Sequence, residues 1–350
     1  MKNNVLLVLL FLLIGSRWTE GQSTRAPIDQ LSPSEVKIAW EKLSQLIASS
    51  GGISPDEIER ARLHGVLDRL GKNARLVERK PGNQIETGED FKLELLPRGV
   101  IYTRLGDFSK DNIAQLSTAL RKEAKAQAVI LDLRATSGPA EFDLVKDLAG
   151  LFIGGDKSLF TLSNSTTKEQ KNFRSSGETR FNGILLVVIN ADTNGPGEAA
   201  AAALRQQAKA LLVGTQTSGQ AFEYTSIPLN ERFALEVAVS RIVLPGSDAQ
   251  FLASGVIPDL LVAADLDGER DLLRRSKKEG IGTFIFEIQR PHMNEASLVA
   301  GRNPELDAFQ ARKAEKNAAG DSLPMDRSLQ KALDAATALL VVREGIKVGE

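Results

Sequence analysis

Two short apolar runs, residues 128–133 and 184–189, constrain this chain more than any other feature. Each lies between turn-forming residues and is followed by a helical pattern. A continuous apolar run of that length is expected of a strand covered on both faces, as in a parallel sheet. The first run leads to a helix carrying Phe142, Val145, Leu148 and Phe152. The second leads to an alanine-rich helix over 196–208 and then to a strand at 211–214. Upstream, 99–104 reads as a strand and Ser109 as the cap of a helix with Ile113, Leu116 and Leu120. Strand and helix in that rhythm predict a layered α/β domain with a mainly parallel sheet. A longer alternating strand is expected over 233–244.

The flanks differ from this core. Lys2 followed by the apolar run 5–14 has the design of a secretory signal, with Gly21 and Ser23 as small residues for cleavage. Ten residues make only about 15 Å of helix, half of a bilayer core, so no stable membrane anchor is expected. Ser32-Pro33-Ser34-Glu35 and Ser54-Pro55-Asp56-Glu57 each place a capping serine three residues before a glutamate, which predicts two helix starts. Near the end, Leu329, Leu333, Ala336 and Leu340 form one apolar stripe that is expected to dock on the core. The domain reading is therefore a signal at 1–23, a helical segment at 24–75, the α/β core at 76–286 and an extension with a terminal helix at 287–350.

Composition removes several kinds of chemistry. The sequence has no cysteine, and His64 and His292 are its only histidines, which excludes thiolate nucleophiles, disulfides and multi-histidine metal sites. No metal or other cofactor is expected. Lys and Arg total 44 against 45 Asp and Glu, without blocks of one sign, so no nucleic-acid partner is expected.

Four segments carry a resemblance. They are Ile130-Leu131-Asp132-Leu133-Arg134-Ala135-Thr136-Ser137-Gly138, Val188-Ile189-Asn190 running to Glu198, Val213-Gly214-Thr215-Gln216-Thr217-Ser218-Gly219-Gln220, and Gly255-Val256-Ile257-Pro258-Asp259. In this order and spacing the chain resembles the tail-specific (C-terminal processing) serine proteases over about 97–262. The resemblance implies a crotonase/Clp-protease-like core and a serine nucleophile activated by a lysine. It assigns Gly195 to the serine position and Gln220 to the lysine position, and neither residue can do the work. It also implies oxyanion or ligand contacts at Gly138, Pro196 and Gly197. Pro196 has no N–H to donate, and Pro139 replaces the second glycine of the family turn. Family members carry a PDZ domain ahead of the core, and the stretch 71–99 is too short to hold one.

The expected function is that of an exported periplasmic or extracellular pseudo-peptidase. Its expected partner is a peptide or unfolded protein tail, or a small apolar or anionic ligand, at the remnant site. The strand at 233–244 is a second place for an extended peptide if it lies at a sheet edge. Two alternatives stand beside this reading. One is an active serine-type endopeptidase with rearranged residues, for which Thr193, Ser137 and Ser218 are the nearby hydroxyls and Lys209 falls at the far end of a helix. The other is a scaffold subunit of an exported complex.

Overall fold

The computed structural model describes residues 27–50, 52–79, 91–106, 108–134, 136, 141–246, 254–285 and 325–348, with a few positions between 301 and 310. The signal reading at 1–23 lies outside the described residues. The chain divides into two compact units between Arg69 and Leu70.

The first unit holds two helices, α1 (Pro33–Ser50) and α2 (Pro55–Leu70). Both begin as the capping motifs predict. The Ser32 N–H donates to Glu35 Oε2 at 2.7 Å and the Glu35 N–H to Ser32 Oγ at 3.3 Å; Ser54 and Glu57 repeat the exchange at 2.8 and 3.2 Å. These bonds hold the Glu35 and Glu57 carboxyls below their ordinary range, side-chain and backbone bonds to Ser32 acting in the first case and backbone then side-chain bonds to Ser54 in the second. The Arg62 guanidinium lies 4.2 Å from the Trp40 ring centre. His64 is exposed on α2, 3.4 Å from Asp68.

The second unit is built on a six-stranded sheet of β2 (Lys92–Leu96), β3 (Val100–Arg104), β4 (Ala128–Asp132), β7 (Ile184–Ile189), β8 (Leu211–Gly214) and β11 (Leu260–Leu261). Its order is β11-β8-β7-β4-β3-β2, and only β2 runs antiparallel to its neighbour. Period-two alternation divides each central strand between two cores. Val129, Leu131, Val187 and Ile189 face one core with α3 (Lys110–Lys122), α4 (Phe142–Gly150) and α5 (Pro196–Ala208). Ala128, Ile130, Leu186 and Val188 face the other, where α7 (Arg327–Val348) presents Leu329, Ala332, Leu333, Ala336 and Leu340. Burial on both sides is why these strands read as apolar runs. Each α7 leucine so buried contributes roughly 1.5–3 kcal/mol, so the terminal helix is a structural layer of the core. Helix α6 (Leu266–Glu279) is capped by Asp265, whose carboxylate accepts the Gly268 N–H at 2.8 Å.

A second, antiparallel sheet joins β1 (Ala74–Glu78), β5 (Ser158–Asn164), β6 (Gln170–Arg174), β9 (Phe222–Pro228) and β10 (Phe233–Val243). Here the structure corrects one expectation. β10 is not an edge: β9 pairs along one side of it, while β1 and β5 pair with successive stretches of it. Both rows of its backbone groups are thus in use, and no peptide can add to it. Only residues 79–91 separate β1 from β2, which leaves no room for an inserted domain.

Candidate active site

The site is a turn between a buried strand and a helix. After β7, the Asn190 N–H donates to Thr193 Oγ1 at 3.1 Å, the Thr193 N–H returns a bond to Asn190 O at 3.0 Å, and Asn190 Oδ1 accepts the Asp192 N–H at 2.9 Å. Asparagine suits such a turn because its side chain bonds its own backbone two residues on. The turn ends at Gly195, with φ 46° and ψ −116°. A non-glycine residue is strained in that region, a type of strain that catalytic nucleophiles on strand-to-helix turns carry. A Cβ added at Gly195 would meet nothing within 4 Å, so the space above the turn is open.

Of the other positions implied for ligand contact, Gly138 lies outside the described residues, as does Ser137. Pro196 is the first residue of α5. The Gly197 N–H donates to Asn194 O at 2.9 Å, which closes the turn and engages that donor. Gly197 has a packing reason to be glycine: a Cβ there would stand 2.7 Å from Thr136 Oγ1 and 3.2 Å from Thr193 Cγ2.

Nearby hydroxyls also serve the turn. Thr193 and Thr136 both donate to Leu133 O at 3.0 Å, and Ser218 Oγ donates to Thr193 O at 3.3 Å. The Lys209 ammonium donates to Gln206 O, at the far end of α5.

Glu198, in the first turn of α5, ties the helix to the loop after β8. Its carboxylate is fully buried and accepts from Thr217 Oγ1 at 2.5 Å, the Gly219 N–H at 2.6 Å and the Gln220 N–H at 2.7 Å. Burial pushes its carboxyl up, against the downward pull of these three bonds and of the Lys72 charge. Gln220 is therefore held by its backbone beside the helix start. Its side-chain oxygen accepts from Arg75 Nη1 at 2.5 Å. Arg75 and Lys72 precede the four motifs in the chain, so motif spacing alone gave no signal for either. The register of β1 on β10, which sets Arg75 opposite Glu236, is what brings Arg75 to the site.

Beneath the turn lies a buried charge network. Arg134, fully buried, donates to Asp132, Glu269 and Asp326. Glu269 Oε2 accepts from Asn190 Nδ2 at 2.9 Å and its Oε1 from Ser328 Oγ at 2.7 Å. Burial alone would lower the Arg134 guanidinium; Asp132 and Asp326 outweigh it and hold the charge well above its ordinary value. The Tyr102 hydroxyl donates to Asp132 Oδ2 at 2.9 Å, and burial with the Asp132 charge raises its pKa. In the same framework, Asp259 of the last motif accepts the Leu212 N–H at 2.9 Å and pairs with Arg205 of α5.

A groove of ≈ 290 Å³ lies between α3, α4 and residues 176–180. None of its lining comes from 190–198 or 215–222. The candidate site is thus distinct from that groove.

A mainly parallel sheet delivers a sharp strand-to-helix turn, steadied by the loop after β8. Residues 99–262 match the model of peptidase family S41. The chain is 26% identical over 227 residues to a carboxyl-terminal-processing protease of Synechocystis, covering 64% of this chain and 48% of that one. It is 25% identical over 171 residues to a carboxy-terminal-processing protease of Bartonella bacilliformis, covering 47% and 39%. The chain therefore spans less than half the length of these relatives. Among solved structures it is similar to a photosystem II D1 C-terminal processing protease, with 21% identity, a TM-score of 0.40, and coverage of 57% of this chain and 52% of that one. Among the described residues no helix is long and apolar enough to cross a membrane.

Proposed function

We propose that this protein is an exported, catalytically silent relative of the C-terminal processing proteases, which binds a peptide or small ligand where those enzymes cut. The observation that carries this reading is the Gly195-Pro196 turn. The backbone conformation of a nucleophile turn is present, but the residue in it has no side chain and the next residue has no N–H. Gln220 strengthens the case, because an amide is no base at neutral pH and its oxygen is already bound by Arg75. The remaining hydroxyls of the turn donate to backbone carbonyls and have no cationic or imidazole base beside them in the contacts described above. Removing one oxyanion donor from a working enzyme costs about 2.7–4 kcal/mol of transition-state stabilisation. Here the donor is missing together with nucleophile and base.

The test is exposure of the purified chain to a serine-directed phosphonate, read by intact mass. No adduct is expected. A stoichiometric adduct on Thr193, Ser218 or Ser137 would establish a relocated nucleophile and remove this reading.

A further inference from the structure

The reading above leaves the ligand's chemistry open, and the side chains around Gln220 narrow it. Arg75 uses Nη1 on Gln220 Oε1 at 2.5 Å and Nε on Glu236 Oε2 at 2.8 Å. Its guanidinium lies 4.5 Å from the Tyr224 ring centre, and Tyr224 is itself fixed through its hydroxyl to Lys72 O at 2.8 Å. A guanidinium stacked in this way has already lost much of its freedom, so further bonds to it come at a smaller entropic cost. The Arg75 side chain is still 44% exposed. Neither its Nη2 nor Gln220 Nε2 has a hydrogen-bond partner among the described residues. Because Gln220 Oε1 is taken by Arg75, the amide presents donors on its free side. The buried Glu198 carboxylate beside it already accepts three donors.

From these contacts we infer that Arg75 and Gln220 form a carboxylate-binding pair at the remnant site. The inference rests on the binding reading above. One cationic fork and one amide, both offering only N–H groups, match the two oxygens of a carboxylate. A Cβ at Gly195 would meet nothing within 4 Å, so the turn itself puts no side chain in the ligand's way. Glu236 competes for the same guanidinium and holds the affinity down. The carboxylate comes either from the last residue of a peptide or from a small free acid. In both cases the position that the resemblance gives to a catalytic lysine has become part of a ligand clamp, with its charge supplied from β1.

The test uses the full chain and calorimetric titration with trialanine, its C-terminal amide, acetate and inorganic phosphate. Trialanine is expected to bind, and its amide to bind at least about tenfold more weakly, the loss of one charge-assisted pair. Arg75→Gln should weaken trialanine by about the same factor, while Arg75→Lys should retain part of the binding. Glu236→Gln should tighten it, a gain that no loss of folding can mimic. Acetate binding as well as trialanine identifies small acids as the source; trialanine binding better identifies a peptide tail. Equal binding of acid and amide overturns the Arg75 assignment and leaves a binding site that does not read the carboxylate. Phosphate binding more tightly than either acid, or no saturable binding of any carboxylate, also overturns it. Each of these failures is separate from the phosphonate result, which decides whether the site is silent.

Discussion

Arg134 and Asp326, 192 residues apart, meet through two parallel hydrogen bonds: Nη1 to Oδ1 at 3.0 Å and Nη2 to Oδ2 at 2.7 Å. Asp326 also caps α7, accepting the Leu329 N–H on Oδ1 at 2.9 Å. One carboxylate thus starts the terminal helix and neutralises the charge under the candidate site. Through Glu269 and Asn190 the same network reaches the turn that ends at Gly195.

Removing the centre of this network should be far worse than removing one spoke. Arg134→Met leaves three carboxylates buried without their cation, and stripping a buried charge of its partner costs about 3–5 kcal/mol. Asp326→Asn leaves Arg134 with Asp132 and Glu269 and keeps an oxygen for the Leu329 N–H, so its cost should be much smaller. Urea unfolding of the two variants checks the order, and equal losses would show that the Asp326 spoke matters as much as the Arg134 hub.

Glu198 should give stability a definite pH dependence. Its folded-state pKa is raised above the ordinary 4.5, so the folded protein holds this proton more tightly than the unfolded chain. Its contribution is therefore most favourable below about pH 4.5 and is lost as the pH rises through the folded value. Glu198→Gln should remove that fall, which urea midpoints measured across the window will detect as a flatter slope.

Much of this architecture was legible in the sequence, for physical reasons. β4 and β7 are covered on both faces, so their apolar runs announce them; α7 carries one continuous stripe; and the two serine–glutamate pairs form the capping boxes they spell. The antiparallel sheet was legible only in β10. In β6 one residue of five is buried, and β9 has none buried, so neither strand alternates clearly enough to be seen. The turn and its loop were visible as motifs, but Arg75, Glu269 and Asp326 were not. Each reaches the site across 135 or more residues, by strand register or helix packing that no local pattern encodes.

Gly197→Ala tests the packing of the turn. The new methyl would press on Thr136 Oγ1, and overpacking of this kind costs about 1–3 kcal/mol, more than the helix propensity that alanine returns. Adding Thr136→Ala should recover part of the loss. Thermal unfolding of the single and double variants gives the comparison, and an unchanged midpoint for Gly197→Ala would show that the turn yields.

Restoring the two side chains should not restore an enzyme. Serine at 195 must adopt the strained conformation, at a cost of about 1–3 kcal/mol. Lysine at 220 would face the Arg75 guanidinium, and Pro196 still offers no oxyanion donor. The Gly195→Ser, Gln220→Lys double variant is thus expected to show no cleavage of an unfolded protein. Cleavage by the double variant alone would mean that Pro196 and Arg75 are tolerated.

The most direct measurement is cleavage of an unfolded protein substrate by the unmodified chain, followed by mass spectrometry over many hours. Intact substrate is the result that the proposed reading predicts, because it puts Gly195, Pro196 and Gln220 at the positions of nucleophile, oxyanion donor and base. Sustained, phosphonate-sensitive cleavage would contradict the silent site and require a nucleophile elsewhere in the chain.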